Sequence, residues 1–487
     1  MSELQSFAEA GPGSALKSSP PTDVSYVRDR MLAAEAAPAG TTGAVGWLRQ
    51  NLFSSPLNIL QTLIAIAIVA LVLPGLLRFG LFDAVWSTAE IRDETGALVD
   101  GATLRDVCAT VAQGGIRENG WSGACWAYVG NYLPQFIYGT YPISERWRVN
   151  VAFVLLALAL VPLLVHAFPY RRLGLLFSAI GFPLAAFVLL TGGEMEYDGF
   201  LPTGALFADG ALKFWFDYLL FSAIVVGIAF AVARSTGGNA SATARNVGVI
   251  LAGIAVVVLV SSIDFGLRHV RTELWGGMLV TLVIAVTGIA ASLPIGIVLA
   301  LARRSNMPLI RLLSVAFIEF WRGVPLVTVL FMSSVMLPLL AAEGVSIDKL
   351  FRAVIGVALF ASAYMAEVIR GGLQAIPKGQ YEGAQAVGLT YWQSMRLIIL
   401  PQALTLVIPG IVNTFIGLFK DTTLVLIIGL FDFLGQIQAS FSDPTWATPV
   451  QSSTAYLFAA ICYFVFCFGM SRYSIYMENR LDTGHKS

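Results

Sequence analysis

The chain has 487 residues, with 30 Lys plus Arg against 30 Asp plus Glu; 57% of it is hydrophobic and only 12% charged. Soluble domains carry about 25% charge, so a mean hydropathy of +0.75 excludes a water-soluble fold. A formal net charge of zero leaves no electrostatic footprint for nucleic acid.

Taken in chain order, the first 45 or so residues are rich in Ala, Gly, Ser and Pro, and the stretch 1–55 reads as a disordered tail. The first apolar run starts too far into the chain to be a cleavable signal. Apolar runs near the length of a bilayer crossing predict about ten spans, near 57–77, 149–168, 173–190, 216–233, 246–263, 275–302, 320–341, 353–371, 398–419 and 454–471. The 275–302 run is long enough to tilt or to extend beyond the bilayer.

Basic residues set the orientation. With the N-terminus cytoplasmic, Arg171, Arg172, Arg234, Arg245, Arg303, Arg304, Arg311, Lys378, Arg396, Arg472 and Arg480 all fall inside, and Glu194, Glu196, Asp198 and Asp209 fall outside. Both termini are then cytoplasmic, with 476–487 as a short tail, and the long 78–148 loop is external. Cys108 and Cys125 lie in that loop, in an oxidising compartment if the cell has a periplasm. A disulfide between them is slightly favoured over two free thiols, since sequence separation alone does not show that the side chains meet. Cys462 and Cys467 are five apart inside the last span and read as apolar filler. Three histidines and no zinc-site spacing leave little for metal binding. Asn239-Ala240-Ser241 matches a glycosylation sequon but falls on the cytoplasmic side.

The most informative stretch is Tyr381–Ala403, polar and rich in Gly and Ala between two spans. The preceding helix must stop short of Pro377. Residues Gln380 to Val387 suit a short helix, ended by Gly388 in the left-handed region. Thr390 and Gln393 have capping-box spacing for a second helix. Ala384 and Gly388, four apart, predict a smooth surface that another backbone can approach. Lys378, Glu382 and Arg396 keep the segment out of hydrocarbon, where each charge costs about 2.5–3.5 kcal/mol.

Glu382-Gly383-Ala384, then Gly388, Ile398 and Leu400-Pro401 at the spacing found here resemble the EAA loop of ABC importer permeases. Gly383 departs from the pattern, standing where the family usually has Ala. The segments Glu319–Leu326 (EFWRGVPL), Ala366–Gln380 and Leu418–Leu430 resemble the polar amino acid branch of those permeases, over roughly the last 200 residues. The resemblance implies an all-α integral membrane protein: a type I importer domain with a five-helix core over 264–475 and a cytoplasmic coupling loop at 372–397. About five extra spans over 56–263 would form an accessory membrane domain. It further implies a cytoplasmic ABC ATPase dimer as partner, a periplasmic amino acid binding protein, a homologous sister permease completing a heterodimeric pore, and a bacterial inner membrane location.

On the same ground Glu382, Gly383, Ala384, Gly388, Ile398, Leu400 and Pro401 are expected to couple to the ATPase. Glu319, Arg322, Gly323, Pro325, Lys420, Asp421 and Thr422 are candidates for a gate or substrate path. Read from the residues alone, Glu319/Arg322 and Glu367/Arg370 are local i,i+3 ion pairs. Trp321, Tyr391 and Trp392 read as interfacial anchors, and Tyr391 and Trp392 alternatively as packing for a docked ATPase.

No G-x-x-x-x-G-K-[ST] phosphate loop is present, so ATP hydrolysis belongs to another subunit and the chain is no enzyme. No cofactor is expected. The cargo implied is polar L-amino acids, with acidic ones and their amides included. The rival reading is an ion-coupled secondary transporter, which would carry broken helices at matching positions of two repeats; no such correspondence is found. A membrane scaffold with a vestigial permease core is a third class.

Overall fold

A computed structural model describes residues 43–91, 98, 103–165, 167–193, 210–235, 239–340 and 347–481. The chain divides into two compact units, Met1–Leu76 and Leu77–Ser487. In the first, α1 (Gly43–Asn51) is followed by α2 (Pro56–Leu77), and Thr62 Oγ1 donates to the Leu52 carbonyl at 2.9 Å across the turn between them. Helical order in Gly43–Asn51 corrects the expected 1–55 disordered tail, whose first 42 residues lie outside the described ones.

The second unit is helical, with only isolated bridges among its described residues. Its first members are α3 (Trp126–Tyr138), α4 (Arg146–Leu164), α5 (Arg171–Leu176), α6 (Phe182–Thr191), α7 (Ala211–Ser235) and α8 (Ala240–Ser262). There follow α9 (Gly277–Arg303), α10 (Pro308–Gly323), α11 (Leu326–Phe331), α12 (Leu337–Leu340) and α13 (Lys349–Ala375). Then come α14 (Lys378–Ala386), α15 (Tyr391–Ser394), α16 (Leu400–Leu406), α17 (Ile408–Asp421), α18 (Phe433–Ala439) and α19 (Gln451–Leu481). Local signals account for several starts. Asn239 caps α8 by accepting from the Ala242 amide at 3.1 Å, and Asp348 caps α13 by accepting from Phe351 at 3.0 Å.

Among the described residues, nine helices are long and apolar enough to cross a membrane, and Pro308–Gly323 with Leu326–Leu339 forms a further pair bent by 107°. That bend corrects the straight span expected near 320–341. Val324 precedes a proline and is extended (φ −104°, ψ 134°), because the proline ring excludes it from the helical region. Hydropathy sums across such a corner without registering it. The run expected at 398–419 is also displaced. The chain breaks at Val407, and the crossing segment is Ile408–Ile428, finishing in a 3-10 turn over Thr422–Ile428. The helix through 476–481 takes the first half of the expected C-terminal tail, and the rest lies outside the described residues. Glu194, Glu196, Asp198 and Asp209 lie outside the described residues.

In the stretch expected as a long loop, 78–148, the described residues 78–91 and 103–148 are folded. Cys108 and Cys125 are bonded, with Cα atoms 5.8 Å apart, and α3 follows directly. Three apolar clusters organise the unit. In the first, Tyr141, Val149 and Leu190 pack with Leu279, Ile284 and Val357, so packing runs across residue 264. The second joins Cys108, Tyr128 and Phe136 to Phe433, Ile437 and Trp446. The third, with Ile318, Met365, Ile369, Met395, Ile399 and Ala403, lies beneath α14 and α15. Contact between α9 and α13 is close enough that a Cβ on Gly296 would lie 2.7 Å from Met365 Cγ.

Candidate functional site: a coupling loop above an ion-pair network

The loop after α13 has the form its residues dictate. α13 ends at Ala375, Pro377 is extended (ψ 141°), and α14 runs over Lys378–Ala386. Gly388 takes φ +75°, a conformation costing other residues about 1–2 kcal/mol. Thr390 then caps α15: the Gln393 amide donates to Thr390 Oγ1 at 3.4 Å, and the Thr390 amide donates to Gln393 Oε1 at 2.9 Å. Beyond α15 a π-helical turn, Met395–Ile399, leads into α16, the kind of irregularity that accumulates at functional sites.

Glu382, Gly383 and Gly388 are exposed, together with Val387 at 72% and Trp392 at 69%. Ala384 is not; at 1% exposure it faces inward. The expected pairing of Ala384 with Gly388 on one smooth face is therefore corrected, because α14 rests on the third apolar cluster and turns that face down. Ile398 and Leu400 are half-buried, while Pro401 is exposed on α16.

Two polar ties hold α14 down. Tyr381 donates its hydroxyl to the Leu373 carbonyl at 3.1 Å, and Arg304 donates both to that carbonyl and to the Tyr381 hydroxyl at 3.0 Å. The guanidinium also stands over the Tyr381 ring, 5.6 Å from its centroid. On the other side Gln402 of α16 donates to the Gln380 side chain at 3.2 Å. Beside Arg304 and Tyr381 opens a cleft of about 420 Å³, lined also by Lys378, Glu382 and Gln385.

Behind the loop, charges from α9, α10 and α13 converge. Arg303 lies 2.9 Å from Glu319 and 2.7 Å from Glu367. Arg370 pairs with Glu367 at 2.8 Å, and Arg322 lies 4.0 Å from Glu367 and 3.9 Å from Glu319. The two local pairs expected from spacing thus form one network. Its centre is Glu367, only 16% exposed, and its link between helices is Arg303. Sequence reasoning missed Arg303 in this role, counting it only as an inside charge. Its signal is its place in the last turn of α9, where a cation also opposes the helix dipole.

Gly323 and Pro325 form the corner between α10 and α11. Lys420, Asp421 and Thr422 stand apart from the network, where α17 gives way to the 3-10 turn; Lys420 is exposed and Thr422 is buried, donating to the Phe419 carbonyl at 2.8 Å.

Residues 292–483 match the family described as the binding-protein-dependent transport system inner membrane component. The chain is 42% identical to the inner membrane amino-acid ABC transporter permease protein YhdY of Escherichia coli (strain K12), over 91% of this chain and 94% of that one. It is also 42% identical to the glutamate/glutamine/aspartate/asparagine transport system permease protein BztC of Rhodobacter capsulatus, over 96% of this chain and all of the relative. Among solved structures, an amino acid ABC transporter with histidines is similar at 31% identity and a TM-score of 0.37, covering 42% of this chain and 92% of that one.

A helical, multi-span chain with this loop and these relatives is an ABC importer permease of the inner membrane. It belongs to the family of amino-acid ABC transporter permeases. It is a transport subunit rather than the ATPase, and membership implies an ATPase and a substrate-binding protein as partners.

Proposed function

We propose that this permease carries polar L-amino acids, acidic ones and their amides included, and that ATPase closure reaches the membrane through α14. The cargo follows BztC, whose name covers glutamate, glutamine, aspartate and asparagine. The observation carrying the mechanism is the clamping of α14 to both α9 and α13 by Arg304 and Tyr381. An ATPase dimer gripping Glu382, Gly383 and Gly388 pulls on α14, and Gly388 with Pro401 bounds the lever into α17. Ligand-driven motion needs contacts that differ between two states, and the Arg303–Glu319–Glu367 network is such a set: it holds α9, α10 and α13 together in one state and yields in the other. Glu319, Arg322, Gly323 and Pro325 then form a gate at the cytoplasmic corner, and Lys420, Asp421 and Thr422 line the path further out.

In this reading the coupling loop and both termini are cytoplasmic, 264–475 is the transport core and 56–263 an accessory domain. A homologous sister permease completes the pore, and a periplasmic binding protein delivers cargo to the face carrying the disulfide. Reconstitution with the neighbouring ATPase, permease and binding protein tests this. Glutamate and glutamine uptake that requires ATP and the binding protein supports it; uptake that survives ATP depletion but ends with the ion gradient would show a secondary transporter instead.

A further inference from the structure

The accessory half touches the core most specifically through α3. The contacts fall at Cys125, Tyr128, Tyr132 and Gln135, a spacing of three, four and three that lines one helix face. The Cys125 amide donates to Thr454 Oγ1 at 2.9 Å, at the start of α19. The Tyr128 hydroxyl bonds Ser440, and the Tyr132 hydroxyl donates to the Asp443 carboxylate. Gln135 donates to the Gln436 side chain of α18 at 3.2 Å. Trp446 meets the Tyr128 ring edge-on at 5.9 Å between centroids. At the far end of α3, a Cβ on Gly277 would lie 2.2 Å from the Phe136 carbonyl oxygen, and Thr140 donates to the Leu274 carbonyl at 3.0 Å. α3 therefore spans from the first turn of α19, along the 436–443 segment, to the first turn of α9. The Cys108–Cys125 bond pins its leading end.

We infer that α3 is a splint: it positions the outer ends of α9, α18 and α19 as one body that keeps its shape through the transport cycle. Three features separate a splint from a moving gate. The contacts continue over three turns of helix, Tyr128 and Tyr132 are buried in the apolar cluster that holds Phe433, Ile437 and Trp446, and a covalent bond fixes the end. Tyr128, Tyr132 and Gln135 are positioning residues, acting on cargo only through the outer segment they hold. The inference rests on the permease reading above and assigns the accessory half a task within it.

The test uses the full chain with ATPase, sister permease and binding protein in proteoliposomes, with Cys462 and Cys467 replaced by Ser. Tyr128→Phe with Tyr132→Phe keeps both rings and removes both hydroxyls. ATP-driven glutamine uptake is expected to fall about fivefold or more, with the ATPase still co-purifying at the parental level. Adding Gln135→Cys and Gln436→Cys and oxidising them is expected to restore uptake, which general misfolding would not permit. Uptake unchanged by the double Phe variant, or abolished by the Gln135→Cys/Gln436→Cys bond in an otherwise parental chain, overturns the splint. Failure of the parental chain to show ATP-dependent uptake would instead strike the permease reading.

Discussion

Arg303 and Glu367 meet at 2.7 Å between the last turn of α9 and the final third of α13, although 64 residues separate them. Their contact turns two ordinary i,i+3 pairs into a three-helix junction behind the loop that carries α14.

Unequal costs are expected around that junction. Glu367 faces Arg303, Arg322 and Arg370, so Glu367→Gln leaves three cations converging on a neutral group. Glu319 is 53% exposed, where water screens the loss. Glu367→Gln should destabilise the permease in detergent more than Glu319→Gln, by on the order of 1–3 kcal/mol, read as the larger drop in melting temperature. Equal shifts for the two would deny Glu367 its central place.

The two loop glycines should respond in opposite directions. A Cβ on Gly383 meets nothing within 4 Å, and α14 gains about 1 kcal/mol of helix propensity from Gly383→Ala; tighter association with the ATPase should follow in a binding titration. Gly388 also has open space but holds φ +75°, so Gly388→Ala costs about 1–2 kcal/mol of backbone strain and weakens the same association. A titration in which both variants bind alike would contradict this assignment.

Tyr381→Phe keeps the ring beneath Arg304 and removes the hydroxyl shared by Arg304 and Leu373. The ATPase should still bind, while the ratio of ATP hydrolysed to substrate carried rises severalfold. Coupled stoichiometry measured on the variant decides; an unchanged ratio removes Tyr381 from the lever.

Asp432 gives a pH signature. It lies between the last two spans, fully buried, capping α18 through the amides of Leu434 and Gly435 at 3.2 and 3.0 Å. Burial raises its carboxyl from 3.8 to about 6. The folded protein therefore holds more protons than the unfolded chain between about pH 4 and 6, and stability falls as pH rises through that window. The contribution is present below about pH 4 and lost above about 6. Asp432→Asn retains a capping oxygen and should remove that slope from melting temperatures taken at pH 4.5, 5.5 and 7. An identical slope in the variant would assign the dependence to another group.

Much of the loop around α14 was legible because local chemistry fixes it: Pro377 stops a helix, Gly388 permits the turn, and Thr390 with Gln393 starts the next helix. The features that escaped are tertiary. Arg303 carries no mark of its partners on α10 and α13, and Ala384 turns inward only because α14 rests on Met395, Ile399 and their neighbours. Pro325 was visible, yet a hydropathy sum has no direction and so joined α10 to α11. The seat of α3 was hidden because it meets Ser440, Asp443 and Gln436 some 300 residues later, a pairing no local pattern encodes.

If ATP energy enters the membrane through α14, Glu382→Lys and Gly388→Trp should cut it off. Each should be measured for ATPase co-purification and for ATP-driven uptake in proteoliposomes containing the binding protein. Both quantities are expected to collapse together in each variant while the permease remains folded in the membrane. Parental levels of ATPase association and uptake in both variants would contradict that route.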